Sequence, residues 1–207
     1  MPKIVDHDQR RMELVNATWR IIARHGMEGA TMREIATEAG FANGALKPYF
    51  PTKDDLLAFA FGHVFNQTNA RMAAATRGLS GLGALRAFCR EILPLDENRI
   101  NEARIVIPFW QKALTDESKA RLHDDAMEQW RTHLLQQLHE AREAGELRAE
   151  VGDEDIAGHL MNLVLGAQIT AVLSPAHYSP DQLSAQLDGY LQLLAGGTFS
   201  SPAVEKK

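Results

Sequence analysis

Groups able to make or break bonds are few in this chain and scattered along it. The 207 residues include eight histidines and one cysteine. There is no H-E-x-x-H, no glycine-rich phosphate loop and no G-x-S-x-G. His133 and His139 stand six apart, which does not place them on one helix face. No catalytic residue, metal site or cofactor is therefore expected. Cys89 reads as a small buried hydrophobe; a redox-sensing thiol is the lesser alternative, with Arg90 as its one cationic neighbour. A different chemistry, recognition without reaction, is concentrated between Thr31 and Lys53: T-M-R-E-I-A-T-E-A-G-F-A-N-G-A-L-K-P-Y-F-P-T-K. This stretch offers hydroxyls, an amide, three cations and two very small residues. Such groups can meet phosphate oxygens and base edges.

The elements that position them are also local. Thr31 and Glu34 have the S/T-x-x-E spacing of a capping box. Met32, Ile35, Ala36 and Ala39 then recur at helical spacing, so a short helix is expected. Gly40 ends it, and Phe41 turns inward at the corner. Asn43–Lys47 is expected to form barely more than one turn of a second helix. Leu46 and Phe50 face inward, and Asn43, Gly44, Ala45, Lys47 and Tyr49 stay on or near the outside. Two short helices joined by a glycine turn fit a reader of the DNA major groove, and equally an ordinary helical hairpin.

The longer pattern is more specific. Met12 to Leu57 resembles the DNA-binding domain of tetracycline-repressor-type (TetR family) regulators. The pattern G-x-x-x-x-T-x-x-x-I-A-x-x-A-G-x-x-x-G-x-L-Y-x-Y-F-x-x-K-x-x-L is met by Gly26, Thr31, Ile35, Ala36, Ala39, Gly40, Gly44, Leu46, Tyr49, Phe50, Lys53 and Leu56. The resemblance implies that Thr31, Tyr49 and Lys53 hold phosphates. It also implies that Asn43, Ala45 and Lys47 face base edges, that Arg33 reaches in from the preceding helix, and that Gly44 allows close backbone approach. The sequence departs from the pattern after Leu46. The family's tyrosine is replaced by Lys47, whose contact could be phosphate or base, and Pro48 follows. Proline disfavours helical geometry at the residue before it, so the second helix should be short or end abruptly.

Composition narrows the class further. Hydrophobic residues make up 45% and charged residues 24%, as in a soluble globular chain. The polar N-terminus has no signal-peptide core, and Leu160–Leu173 is expected to be too short and too polar to cross a bilayer. A cytoplasmic protein is expected. Net charge is −5, which argues against non-specific coating of DNA. Residues 1–55 carry eight Lys/Arg and eight Asp/Glu, so the deficit lies in the remainder. Affinity for DNA must then come from a few placed cations.

Helical periodicity continues throughout, with no strand pattern and no internal repeat. The expected fold is all-α with about nine helices: a helix-turn-helix domain over 1–52, a helical ligand-binding and dimerisation domain over 53–195, and a flexible tail over 196–207. The first helix is expected to stop at Gly26. Gly78, Gly81 and Gly83 are expected to form a flexible joint.

Phe65, Phe88, Trp110, Met127, Trp130 and Gln168 are candidates to line an effector pocket, although aromatic residues at helical spacing are commonly core. The C-terminal layout resembles regulators of the betaine and choline type. That resemblance implies a cage of Trp110 and Trp130 for a quaternary ammonium, by cation–π attraction. The last two helices are unusually apolar for terminal surface helices, which suggests a two-fold four-helix interface, the alternative being that they serve only the core of their own chain. Leu160, Leu163, Val164, Ala167, Leu183, Leu187, Tyr190, Leu191 and Leu194 are candidates for a two-fold homodimer interface. The expected function is a ligand-responsive regulator, more readily a repressor, that binds a near-palindromic operator. The alternative is a helical ligand-carrier or protein-interaction module without specific DNA binding.

Overall fold

A computed structural model of the chain describes residues 7–42 and 44–196. Among the described residues there are eight α-helices and no strand: α1 (His7–Gly29), α2 (Met32–Glu38), α3 (Lys53–Ala75), α4 (Gly81–Ile92), α5 (Glu97–Ala113), α6 (Glu117–Glu143), α7 (Asp153–Leu173) and α8 (Pro180–Gly196). The fold is all-α. Of the helix expected over 43–47, the described residues from 44 onward form overlapping turns instead. Ala45 N–H donates to Ala42 O, Tyr49 N–H to Leu46 O, and Phe50 N–H to Leu46 O. Pro48 has no N–H to extend a ladder, and it disfavours helical geometry at Lys47.

The chain forms two compact units. The first comprises residues up to Gln67 together with Glu97–Asp124. Here α1 packs on α2 and α5. Leu14, Ile21, Ile35, Leu46, Phe50, Leu56 and Phe109 are buried. The helix starts are set locally. Thr31 Oγ1 accepts from Glu34 N–H at 3.2 Å while Thr31 N–H donates to Glu34 Oε2 at 3.1 Å, the reciprocal capping box. Thr52 and Asp55 repeat the device at the head of α3. Gly40, at φ +73°, makes the left-handed turn after α2 that a side chain would strain. α1 runs on to Gly29, three residues beyond the stop expected at Gly26.

The second unit comprises Thr68–Asp96 and the chain from Asp125 onward. In it α4 packs on α7 and α8. Leu85, Phe88, Leu134, Leu138, Ile156, Leu160 and Leu187 are buried. Of the glycines expected to form a flexible joint, Gly78 makes the turn after α3 at φ +76°. Gly81 is buried as the first residue of α4, and Gly83 lies within that helix. Leu82 N–H there donates to the Glu146 carboxylate at 2.8 Å. α7 contains the apolar stretch Leu160–Leu173. It has 21 residues and is, by length and composition, apolar enough to cross a membrane. One of its faces is core, with Ile156, Ala157, Leu160, Val164, Ala167 and Ala171 buried. The tail expected over 196–207 lies outside the described residues, apart from Gly196.

Candidate nucleic-acid interface and effector cavity

The first unit holds the residues expected to contact DNA on a packed base. Glu38 on α2 accepts from Arg20 at 2.6 Å and Arg24 at 2.7 Å, both on α1. The hydrogen bond from Arg20, then those from Arg24, hold the Glu38 carboxyl below its ordinary range. Phe41 closes the corner. Its N–H donates to Ala36 O at 2.8 Å, and its ring meets Tyr49 edge-on at 5.9 Å. Arg10 lies over that ring at 5.3 Å, and Arg11 lies over Phe59 at 5.6 Å. Leu46 and Phe50 anchor the turn from below.

This base leaves Thr31, Arg33, Gly44 and Lys47 exposed, with Ala45, Tyr49 and Lys53 half-buried. Gly44 sits at φ +87°. Among the described residues Arg33 and Lys47 form no ion pair. Thr31 Oγ1 already donates to Glu34 at 2.7 Å, so a phosphate would have to compete for that hydroxyl proton. Asn43 lies outside the described residues.

The six candidate pocket residues divide between the units. In the first, Phe65 stacks on Phe61 at 6.4 Å, and Phe61 stacks on Phe109 at 4.0 Å. Trp110 meets His123 edge-on at 6.1 Å, and both Trp110 Nε1 and His123 Nδ1 are buried without a partner. Burial pushes the His123 imidazole below its ordinary range. In the second unit, Phe88 and Trp130 line a cavity of about 460 Å³. Gln168 Nε2 donates instead to Ile92 O at 2.9 Å, and Met127 is half-buried on α6 without lining that cavity. Asn69, His133 and Gln137 line it too, and sequence reasoning missed them. The available signal was the spacing of Trp130, His133 and Gln137, at i, i+3 and i+7 along α6.

The candidate interface residues also separate. Leu160, Val164, Ala167, Leu183, Leu187, Leu191 and Leu194 are buried within their own unit. Leu163 and Tyr190 are half-buried and line an apolar groove of about 630 Å³ with Leu193. Ile169, Leu173 and Leu193 are exposed.

A capped helix carrying Arg33, a glycine corner and a polar turn carrying Lys47 have the layout of a helix-turn-helix, here in a chain whose second part is all-helical. That combination defines a DNA-binding regulator. Residues 14–59 match the family described as bacterial regulatory proteins, tetR family, and residues 82–196 match the C-terminal region of BetI-type transcriptional repressors. The HTH-type transcriptional regulator PksA of Bacillus subtilis is 35% identical over 185 residues, 88% of each chain. BetI of Vibrio vulnificus is 26% identical, covering 93% of this chain and 96% of its own. A transcriptional regulator from Rhodococcus sp. Rha1 has the same fold at TM-score 0.79, with 32% identity over 93% of this chain and 99% of its own. A regulator from Saccharomonospora viridis, solved in complex with choline, superposes at TM-score 0.82 with 21% identity over 89% of this chain and 96% of its own. The chain belongs to the TetR family of transcriptional regulators, with a C-terminal region of the BetI type. It is a transcriptional regulator with an N-terminal DNA-binding domain and a C-terminal ligand-binding domain.

Proposed function

We propose that this regulator is a cytoplasmic repressor that binds a near-palindromic operator as a homodimer and leaves it when a small molecule binds. The observation that carries the reading is a pair of exposed cations with no ion-pair partner among the described residues: Arg33 on α2, and Lys47 on the following turn, whose underside is anchored by Leu46 and Phe50. Rigidly held cations of this kind suit phosphate and base contacts. Thr31, Tyr49 and Lys53 position the head on phosphates. Asn43, Ala45 and Lys47 face the bases, Arg33 assists, and Gly44 admits the backbone.

Two heads require half-sites about one helical turn apart, roughly 34–36 Å, or somewhat more. The dimer face comprises Leu163, Tyr190, Ile169, Leu173 and Leu193, because the other interface candidates are spent on the core of their own unit. Effector binding acts by favouring a state whose head spacing no longer fits the operator, which requires different affinities in the two states.

The test is footprinting on DNA just upstream of the protein's own gene, with salt titration and unrelated DNA as competitor. Protection of two related half-sites supports the proposal. Binding that vanishes with modest salt and shows no footprint sinks it in favour of an interaction module without specific DNA binding.

A further inference from the structure

We infer that the cavity formed by α3, α4 and α6 in the second unit takes an uncharged, ring-containing molecule that bears a hydroxyl group, a phenol in the simplest case. The inference rests on the effector-responsive reading above and names the class of effector. At about 460 Å³ the cavity has the size of a small-molecule site. Met72, Phe88 and Trp130 give it apolar walls, and no Lys, Arg, Asp or Glu lines it. A carboxylate would enter without a counter-ion and lose its hydration. A quaternary ammonium would need several aromatic faces around it. Phe88 already stacks on His133 at 6.1 Å, which leaves no such cage.

The polar groups specify a hydroxyl. Trp130 Nε1 can only donate, and it does so to Asn69 Oδ1 at 2.8 Å. The Asn69 amide is thereby oriented with Nδ2 as its donor. His133 Nδ1 lies 2.8 Å from the Gln129 carbonyl, which can only accept. In the neutral tautomer that this contact selects, the proton is on Nδ1 and Nε2 is an acceptor. Gln137, itself 9% exposed, buries its Oε1 without any partner. Asn69 Nδ2 as a donor, with His133 Nε2 and Gln137 Oε1 as acceptors, in a ring-sized cavity without Lys, Arg, Asp or Glu in its lining, match a group that both donates and accepts. A methyl ether of the same shape could not donate, and would leave the Gln137 oxygen unsatisfied.

The test is calorimetric titration of the full-length protein with four probes: 4-ethylphenol, 4-ethylanisole, 4-ethylbenzoate and choline. The expected result is saturable binding of 4-ethylphenol at one per chain, at least tenfold tighter than each of the others. Gln137→Leu should abolish the preference over 4-ethylanisole while retaining binding of the ether. Exposed His133→Phe, which keeps a ring beside Phe88, should reduce the preference at least threefold without affecting folding. Equal binding of phenol and ether, tighter binding of benzoate or choline, or no saturable phenol binding would each overturn the inference. Operator binding measured without probe separates the two claims. A protein that prefers the phenol but fails to footprint keeps this inference and loses the regulatory one; one that footprints but ignores the phenol does the reverse.

Discussion

Replacing Lys47 by alanine tests the reading head most directly. The side chain is exposed and has no ion-pair partner among the described residues, so its removal breaks nothing within the fold. Stability should change by less than about 0.5 kcal/mol. DNA binding should change much more. Each phosphate contact steepens the dependence of log K on log salt by about 0.9, so two symmetric heads lose about 1.8 of slope. Extrapolated from 1 M to 0.15 M salt, that slope corresponds to roughly 30-fold in affinity, or ~2 kcal/mol. A base contact would behave differently. Affinity would fall by about 1–3 kcal/mol per contact with relaxed preference at one operator position, and the slope would be nearly unchanged. Fluorescence anisotropy over a salt series, on the natural operator and on single-position variants, distinguishes the two. Unchanged affinity and slope with an intact fold would refute the assignment of Lys47 to the interface.

Gly81→Ala should destabilise the second unit by about 2 kcal/mol, because the residue sits at φ +57° and its new Cβ would lie 2.4 Å from Glu146 Oε2. Glu146→Ala alone should cost ~1 kcal/mol by leaving Leu82 N–H without its acceptor. The double variant in urea melts should lose less than the sum, and strict additivity would contradict the clash. Glu38→Gln should lower the urea midpoint at neutral pH. The folded carboxyl is held below its usual 4.5, so its stabilisation is present above that value and disappears as pH falls through the folded one. The two melting curves should therefore converge in acid, and a constant gap would remove the ionic explanation. Cys89 is fully buried, and burial pushes its thiol up to about 12. Thiol reagents should modify it only at the rate of unfolding, and rapid labelling of the native protein would restore the redox-sensor alternative.

Much of the reading head was legible because its determinants are three or four residues apart. The Thr31–Glu34 box, the Gly40 corner, the inward pair Leu46 and Phe50, and the shortening by Pro48 are contacts or steric exclusions within one turn of chain. The helix order was equally plain, since 3.6-residue periodicity survives in any tertiary setting. Other features depended on partners distant in sequence. Glycine at position 26 marks a stop in a sequence pattern, yet α1 continues to Gly29. Gly81 looks like a hinge until Glu146, 64 residues from the Leu82 amide it accepts, is found capping that helix start. The candidate effector cavity is the same case. Trp130 was legible as an aromatic candidate, but Asn69 lies 61 residues away and becomes its partner only when α3 and α6 are brought together. Apolar character alone likewise could not say which leucines of α7 and α8 serve their own core and which remain outside. The sequence by itself determined the order of the long helices, the Thr31–Glu34 cap and the family. Tertiary structure decided which polar groups converge and which apolar faces stay uncovered, because burial is a property of the packed chain and not of any local pattern.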